Sequence, residues 1–486
     1  MISRYANKEI ESIFSDSHKL ELWQKTELAV IEAMVKLEKV NRDQYLVISN
    51  TLNNTPIDIE WWKNKDEEIH HDLNAFIDER VRHLEKELHQ YFHKNITSYD
   101  TEEPAFARSL SEAIEVIRPL GELLEKNLTY LAIRYRYTVM NARTHGQEAE
   151  MQTFGARVLT WLADYLVAKK ALEKSSENLY YSKLSGAIGK YGSLDPKTEE
   201  EALRILGFFP FYGSTQIMPR ILYAPIAQSL CNIVLVINKI GVDIRLASRS
   251  GRPLLQEPFK KKQKGSSAMP HKKNTIRTEQ LEGMARMAKG YMNMITDNIG
   301  TWEERAIEQS CVERVAWPDL FHVLAQSFKV INMVLNGLTV YPENMLKEIH
   351  ESRGVYASSE AKEFLKENGL GHEDAYRIVQ LACFNVFESE DEKPSIIKSF
   401  DDSLSAMYAI SRKEPGEIVS IREFIPRAAL RVSETLDINQ EEVDGYNKAL
   451  KEIFSKFSVR ENWSRLFTPA FLLKNEAFLY QKILGE

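Results

Sequence analysis

The stretch that decides the fold is "LSEAIEVIRPLGELLEKNLTYL", residues 110–131. Apolar side chains recur in it at three- and four-residue steps, the spacing that places them on one face of an α-helix. They are Leu110, Ile114, Ile117, Leu120, Leu124, Leu128 and Leu131. We expect a helix over 106–140 that Pro119 kinks but does not end. A helix of this length favours a helical bundle.

The same periodicity continues on both sides of this stretch. In 17–40 one helical face is apolar, and Asp16 or Ser17 is the expected N-cap. That face carries Leu20, Trp23, Val30, Met34 and Leu37. Further helical patterns cover 147–178, 217–249, 276–298 and 311–338. Period-2 alternation and a βαβ rhythm are not evident, so we predict an all-α chain of three helical domains: 1–105, a central long-helix bundle over 106–345, and 346–486.

Composition narrows the class of protein. A net charge of −7 and a pI near 6.0 give no sign of a nucleic-acid surface. The three cysteines are widely separated and form no CxxC pair, which argues against a zinc site or a disulfide framework. The N-terminal residues lack the apolar region of a secretory signal. The most apolar stretch, 229–242, contains Asn232, Asn238 and Lys239, so it predicts a buried helix instead of a membrane span. We therefore expect a cytoplasmic protein without nucleic-acid or membrane partners.

Polar clusters interrupt the helical patterns at six places. They read "HHDLNAF" (70–76), "YFHKNITSYD" (91–100), "ARTHGQEAEMQTFG" (142–155), "STQIMPR" (214–220), "GSSAMPHKKN" (265–274) and "WEERAIEQSCVER" (302–314). Taken singly, each is compatible with caps, turns or surface ion pairs. Arg305 and Arg314, for example, could pair with Glu303, Glu304 or Glu313. The spacing of a metal site, a phosphate-binding Walker loop or a Rossmann turn is not found in any of them.

Their joint occurrence resembles a known family. "GSSAMPHKKN" followed by "TEQLEGMAR" (278–286) resembles the signature of the fumarase/aspartase superfamily, in its adenylosuccinate lyase form. The opening residues and the other clusters match that family's motifs in order, from about residue 3 to about 330, and "GLGHEDAYRIVQ" (369–380) extends the match weakly. The resemblance implies a homotetramer whose central helices form one bundle and whose active sites each draw on three subunits. It implies neither a metal nor an organic cofactor.

The family reaction is a β-elimination that splits a carbon–nitrogen bond and releases fumarate. It needs a base for the Cβ proton, an acid for the departing nitrogen and donors for the charge that accumulates on the neighbouring carboxylate. By resemblance Ser266 is the base and His145 the acid, with Glu150 or an acid from another chain keeping His145 protonated. Lys272 and a helix beginning near Asn274 or Thr275 could stabilise the serine alkoxide. The loop containing Gly265 is expected to close over the substrate.

The resemblance also assigns substrate contacts. His71 and His93 match histidines that touch the substrate, and Lys272 and Glu279 match residues of the catalytic loop. The remaining polar residues of the motifs are grouped with the substrate site: Asp100, Thr144 and Ser267. Groups for the succinyl carboxylates are Thr97, Ser98, Gln216 and Asn274. Groups around a nucleotide phosphate are Arg4, Tyr5, Arg305, Ser310 and Arg314, since guanidinium groups bind phosphate oxygens bidentately.

Four segments depart from the family pattern, at 101–105, 221–225, 275 and 306–309. At 101–105 the family pattern Val-Val-Asp-Thr-Ala is replaced by Thr-Glu-Glu-Pro-Ala. These changes bear more on the substrate than on the elimination chemistry. The alternatives are therefore an argininosuccinate lyase, a carboxymuconate cycloisomerase, or a catalytically silent helical protein with this fold.

Overall fold

The structure is a computed structural model that describes residues 1–388 and 439–485. These residues divide into two compact units, each assembled from separate parts of the chain. The first unit comprises 1–127, 164–246 and 257–337, and the second comprises 128–163, 247–256 and the described part of 338–486. The three-domain division stays a prediction, and in its last domain 389–438 and Glu486 lie outside the described residues.

The described chain is predominantly helical, which confirms the predicted fold class. The first-half helices are α1 Lys8–Ile13, α2 Asp16–Lys36, α3 Arg42–Asn54, α4 Ile59–Ile69, α5 Asp72–Val81, α6 Ser98–Arg134, α7 Phe154–Ser176, α8 Pro196–Leu206 and α9 Ala224–Ala247. The later ones are α10 Ile276–Asp297, α11 Ile307–Asn336, α12 Pro342–Glu351, α13 Ser358–Glu367, α14 His372–Glu388, α15 Gln440–Ile453, α16 Phe457–Leu466, α17 Pro469–Leu472 and α18 Glu476–Leu484. Short 3₁₀ segments are Lys86–Tyr91, Glu177–Tyr180, Arg220–Leu222, Asn298–Gly300 and Val355–Ala357.

The strands are short and pair two by two. They are β1 Val139–Thr144 with β2 Gln147–Thr153, β3 Tyr181–Ser182 with β4 Phe209–Pro210, and β5 Leu255–Gln256 with β6 Thr339–Val340. The β1–β2 and β5–β6 pairs are antiparallel and the β3–β4 pair is parallel. The β3–β4 and β5–β6 pairs have two residues in each strand. They therefore join connections between helices and do not form a separate sheet layer.

Long helices form the core of the first unit. α10 packs along α11, and α2 packs on α3 and α8. Trp317 and Phe321 of α11 are completely buried, and the Trp317 ring meets Phe106 of α6 edge-on at 6.2 Å. α6 runs through Pro119 without ending, as predicted. The α2 helix begins one residue earlier than expected, because the Ser15 side chain accepts a hydrogen bond from the His18 amide and is the N-cap.

An aromatic cluster holds the second unit together. Trp463 is completely buried and meets Phe364, Phe454 and Phe467 edge-on at centroid distances of 5.3–5.4 Å. Met151 of β2 belongs to the same buried cluster. Burial of these rings and of Met151 ties the β1–β2 hairpin to the C-terminal helices of this unit.

The predicted helix over 147–178 is wrong in its first seven residues. Residues Gln147–Thr153 form β2, and the helix begins at Phe154. The two residues that connect β1 to β2, His145 and Gly146, have φ of 53° and 80°, the left-handed pattern of a two-residue hairpin turn. The register shifts between Asn141 and Arg143, which breaks the alternation that would have revealed the strands. Gln, Glu, Ala and Met in β2 favour helix intrinsically, and pairing with β1 overrides that preference.

The segment Arg220–Ala247 is long and apolar enough to cross a membrane by length and composition. More than half of its apolar window is buried inside the protein, as is typical of a core helix. This agrees with the buried helix predicted for 229–242. Within the described residues the cysteines are unpaired; Cys231 and Cys383 are buried and Cys311 is exposed.

Candidate active site

The signature loop, residues 257–275, contains a tighter inner loop, 265–274, whose two ends are in contact. The Asn274 side-chain amide donates to the Gly265 carbonyl at 2.8 Å. A Cβ atom on residue 265 would lie 1.8 Å from the Lys272 carbonyl oxygen, so the loop can close here only with glycine. The predicted catalytic Ser266 therefore lies where this inner loop closes, and the residues that follow it, Ser267 to Lys273, are exposed.

The Ser266 hydroxyl oxygen accepts two backbone hydrogen bonds. The Ala268 amide lies 3.3 Å from Ser266 Oγ and the Met269 amide 3.1 Å. The side chain is half-buried. Two amide donors directed at one oxygen stabilise negative charge on it, which is the property that a serine needs to act as a base.

The loop ends at α10, which begins at Ile276 with Thr275 as its N-cap residue, as predicted. Glu257, on the other side of the loop, is buried, and its carboxylate accepts from the Thr278 amide at 2.8 Å and the Arg277 amide at 3.3 Å. A carboxylate on the first amides of a helix is stabilised by the helix dipole. Sequence reasoning missed Glu257, because the contact spans about twenty residues of loop.

His145 occupies the tip of the β1–β2 hairpin in the second unit. It is exposed and makes no hydrogen bond or ion pair within 1–388 and 439–485. Two residues earlier, Arg143 binds the Glu348 carboxylate at 2.9 Å, which fixes one strand of the hairpin to α12. Thr144 pairs with Gln147 at the end of the ladder and is also exposed. The hairpin thus presents the His145 imidazole on a tight two-residue turn.

His93 is held by a buried carboxylate. The Glu27 side chain, completely buried, accepts from the His93 backbone amide at 2.9 Å and lies 2.8 Å from His93 Nδ1. Burial by itself lowers the pKa of His93, but the Glu27 charge outweighs it and, with Asp100, raises that pKa above its ordinary value. Glu27 was missed, although its place on the apolar face of α2, between Trp23 and Val30, is a signal in the sequence.

A buried ion pair connects two of the predicted motifs, 91–100 and 214–220. Lys183 Nζ lies 2.7 Å from Asp100 Oδ1 and donates to the Gly186 and Gln216 carbonyls at 3.0 and 2.9 Å. The other Asp100 oxygen accepts from the Thr97 amide at 2.8 Å, just before α6. The backbone positions of Thr97 and Gln216 are therefore set by one pair. Asp100 is engaged within the fold, and its predicted contact with substrate stays a prediction.

A cavity of about 270 Å³ lies in the first unit between α1, α2, α5, α6 and α11. Its polar lining includes Ser310 and Arg314, both predicted to surround a phosphate. Its charged walls further include Asp16, Lys19, Asp72, Glu102, Glu103, Arg220 and Glu313. Arg314 forms an ion pair with Asp72 at 3.0 Å. The sequence had suggested Glu303, Glu304 or Glu313 as its partner.

Arg305 joins this region to Gln216. Its guanidinium donates to the Gln216 side chain at 3.2 Å and lies 4.1 Å from the centroid of the Tyr99 ring. Tyr99 lines the cavity. Two predicted groups from separate motifs, Arg305 and Gln216, are thus in direct contact beside a ring that lines the cavity.

The remaining predicted residues lie near the surface of their elements. His71 is the N-cap of α5, and its Nδ1 accepts from the Asn74 amide at 3.2 Å. Ser98 opens α6 and is half-buried. Arg4 and Glu279 are exposed, and Tyr5 is half-buried. Among the described residues there is no group of three or more His, Cys, Asp or Glu side chains able to hold a metal ion.

Comparison with known proteins shows which family the chain belongs to. A profile of the family described as lyase matches residues 8–290. The chain is 35% identical over 390 residues to an adenylosuccinate lyase of Synechocystis sp., covering 80% of this chain and 90% of that protein. It is 35% identical over 390 residues to the adenylosuccinate lyase of Aquifex aeolicus, covering 80% and 89%.

Solved structures share the fold. A fumarate lyase from Mesorhizobium sp. superposes with a TM-score of 0.74 at 22% identity, covering 89% of this chain and 98% of that one. A β-carboxy-cis,cis-muconate cycloisomerase from Acinetobacter calcoaceticus gives 0.69 at 18% identity, covering 92% and 98%. At these identities the likeness establishes the fold alone.

Proposed function

Because this chain belongs to the adenylosuccinate lyase family of carbon–nitrogen lyases, we propose that it cleaves adenylosuccinate to AMP and fumarate. We extend the proposal to the succinyl-carboxamide ribotide of purine biosynthesis. The observation that carries it is the cavity of the first unit, where Ser310 and Arg314 line one wall and Arg305 lies beside Tyr99. A phosphate dianion needs such donors, because a bound charge left without partners is costly.

In the proposed elimination Ser266 Oγ takes the proton from the substrate Cβ. The C–H electron pair becomes the new C=C bond, the C–N bond breaks, and the departing nitrogen takes a proton from His145. The Ala268 and Met269 amides support the serine base, because they already donate to its oxygen. Lys272 and the N-terminus of α10 add positive charge to the same loop.

Thr97, Ser98, Gln216 and Asn274 are assigned to the succinyl carboxylates. The Asp100–Lys183 pair supports this assignment, since it fixes the backbone at Thr97 and at Gln216. His93, with its pKa raised by Glu27, is a further cation for the same anionic groups. Asp100 itself then acts as a positioning residue for these donors.

We further propose a cytoplasmic homotetramer in which one active site draws on several subunits. The exposed apolar side chains on long helices support assembly, because such side chains are stabilised by a partner. They include Tyr130 and Ile133 of α6, Val167 of α7, and Val315 and Met333 of α11.

The test is release of fumarate, followed by its absorbance, from a panel of substrates. We expect rapid cleavage of adenylosuccinate and of the succinyl-carboxamide ribotide. Cleavage of argininosuccinate without cleavage of adenylosuccinate would contradict the substrate assignment, although the proposed elimination reaction would still hold. Conversion of carboxymuconate alone would point to a cycloisomerase, and inactivity on the whole panel to a catalytically silent protein.

A further inference from the structure

Three acidic residues near the start of α6 have different surroundings. Asp100 is paired with Lys183, and Glu103 binds Arg220 while accepting from the Tyr223 hydroxyl at 3.0 Å. Glu102 lies between them in sequence, yet it makes no hydrogen bond or ion pair within the described part of the chain. Its side chain lines the cavity that also contains Ser310 and Arg314.

The charges around Glu102 come from several elements. Asp72 of α5, Lys19 of α2 and Arg314 of α11 line the same cavity, and Arg305 precedes α11. Burial, followed by the charge of Asp72, raises the pKa of Glu102 to about 8, against the opposing effect of the three cations. Glu102 is half-buried, and a carboxyl that is partly removed from water without a hydrogen-bond partner is stabilised when a ligand supplies one.

The position of Glu102 on α6 determines which part of a bound substrate its side chain can contact. It lies four residues after Ser98, so the two side chains share one face of α6. Ser98 is assigned to the succinyl end of the substrate, while Ser310 and Arg314, which line the cavity together with Glu102, are assigned to the phosphate end. Glu102 therefore faces the part between them, which in a succinyl-nucleotide includes the ribose.

We infer that Glu102 is a specificity-determining residue whose carboxyl accepts hydrogen bonds from the ribose hydroxyls of the substrate. This inference rests on the proposed function. Glu102 offers no positive charge to a phosphate group, whereas Arg314 and Ser310, which line the same cavity, offer a cation and a hydroxyl donor. A vicinal diol presents two donors, and a carboxyl has an acceptor oxygen in either protonation state.

The consequence is a preference for ribose over deoxyribose that depends on one side chain. This role for Glu102 also explains one departure from the family pattern, since Glu102 lies in the segment 101–105 where the sequence differs from that pattern. The neighbouring departure, Glu103, is used internally by Arg220 and Tyr223 and is not free for a ligand.

The experiment compares kcat/KM for adenylosuccinate and its 2′,3′-dideoxy analogue in wild type, Glu102→Ala and Glu115→Gln. Glu115 is the matched control, an exposed glutamate on the same helix that pairs with Arg118 and does not line the cavity. We expect wild type and the control to prefer the ribose substrate roughly tenfold, the size expected for hydrogen bonds to a carboxyl. In Glu102→Ala, kcat/KM for the ribose substrate should fall about tenfold below the wild-type value. Its kcat/KM for the dideoxy substrate should stay within about twofold of wild type.

Equal losses on both substrates, or an unchanged ribose preference in Glu102→Ala, would overturn the inference. If the alanine variant is unstable, Glu102→Leu, which fills the same space without an acceptor, decides between the same two results. A wild-type enzyme that releases no fumarate from adenylosuccinate would instead overturn the proposed function, so the two failures are distinguishable.

Discussion

Lys183 and Asp100 form an ion pair of 2.7 Å in which both side chains are completely buried. The pair ties together the backbone at Thr97 and Gln216, two residues assigned to the succinyl end of the substrate. Removal of one partner leaves an uncompensated buried charge, whereas removal of both does not. The pair therefore has a structural effect and a positioning effect that experiments can separate.

We expect Lys183→Met to lower the free energy of unfolding by about 3–5 kcal/mol, because Asp100 loses its counter-charge. Inhibition by fumarate should weaken several-fold while inhibition by AMP stays near wild type. The double variant Lys183→Met/Asp100→Asn should regain stability but not fumarate affinity. Equal weakening of fumarate and AMP inhibition would show that the pair has no specific role in positioning the succinyl site.

Ser266→Ala removes one hydroxyl from a half-buried position in a loop. The melting temperature should therefore change little. Turnover should fall by several orders of magnitude while adenylosuccinate still binds, because the base is lost and the carboxylate donors remain. Calorimetric binding together with single-turnover kinetics measures both effects. Activity near that of wild type would remove Ser266 from the mechanism.

Subunit mixing tests whether active sites are shared between chains. Inactive His145→Gln and Ser266→Ala proteins, dissociated and reassembled together, should regain part of the wild-type activity, because some mixed sites then contain both residues. Native mass spectrometry verifies that mixed tetramers have formed. Verified mixed tetramers without any activity would show that one chain supplies both residues.

Arg314→Ala tests the phosphate assignment. We expect kcat/KM for adenylosuccinate to fall about 10- to 100-fold, the range for a hydrogen bond to a charged group, and succinyl-adenosine, which lacks the phosphate, to be affected far less. Arg118→Ala is the matched control, since Arg118 is an exposed arginine paired with Glu115. If both substrates lose the same factor, Arg314 does not bind phosphate.

The His93–Glu27 contact predicts a specific titration. Glu27 raises the pKa of His93, so the stability gained from the charged pair is fully present below the unfolded pKa of about 6.5 and is lost as pH rises through the folded value. Glu27→Gln should lower the pKa of His93, since burial is then opposed only by the smaller effect of Asp100. NMR titration of ¹³C-labelled histidine measures it, with Glu112→Gln, which changes the partner of His18, as control. An unchanged His93 titration in Glu27→Gln would contradict this pairing.

The sequence by itself determined the helical class and the location of the main motifs. The three- and four-residue spacing in 110–131 is a local property, so it predicted α6 and its passage through Pro119. The start of α10 near Thr275 followed equally from local signals. The family was identified from short motifs for the same reason, because each motif is continuous in the chain.

Only the tertiary structure decided which groups act together. The pairing of Lys183 with Asp100, of Glu27 with His93, and of Glu257 with the first turn of α10 depends on segments that are distant in sequence. The β1–β2 hairpin was concealed by helix-favouring residues and an irregular register, and pairing with a second strand made it stable. Glu102 likewise resembled any surface glutamate in the sequence. Folding made it distinctive, because its two acidic neighbours found cations inside the protein and it was left facing the cavity.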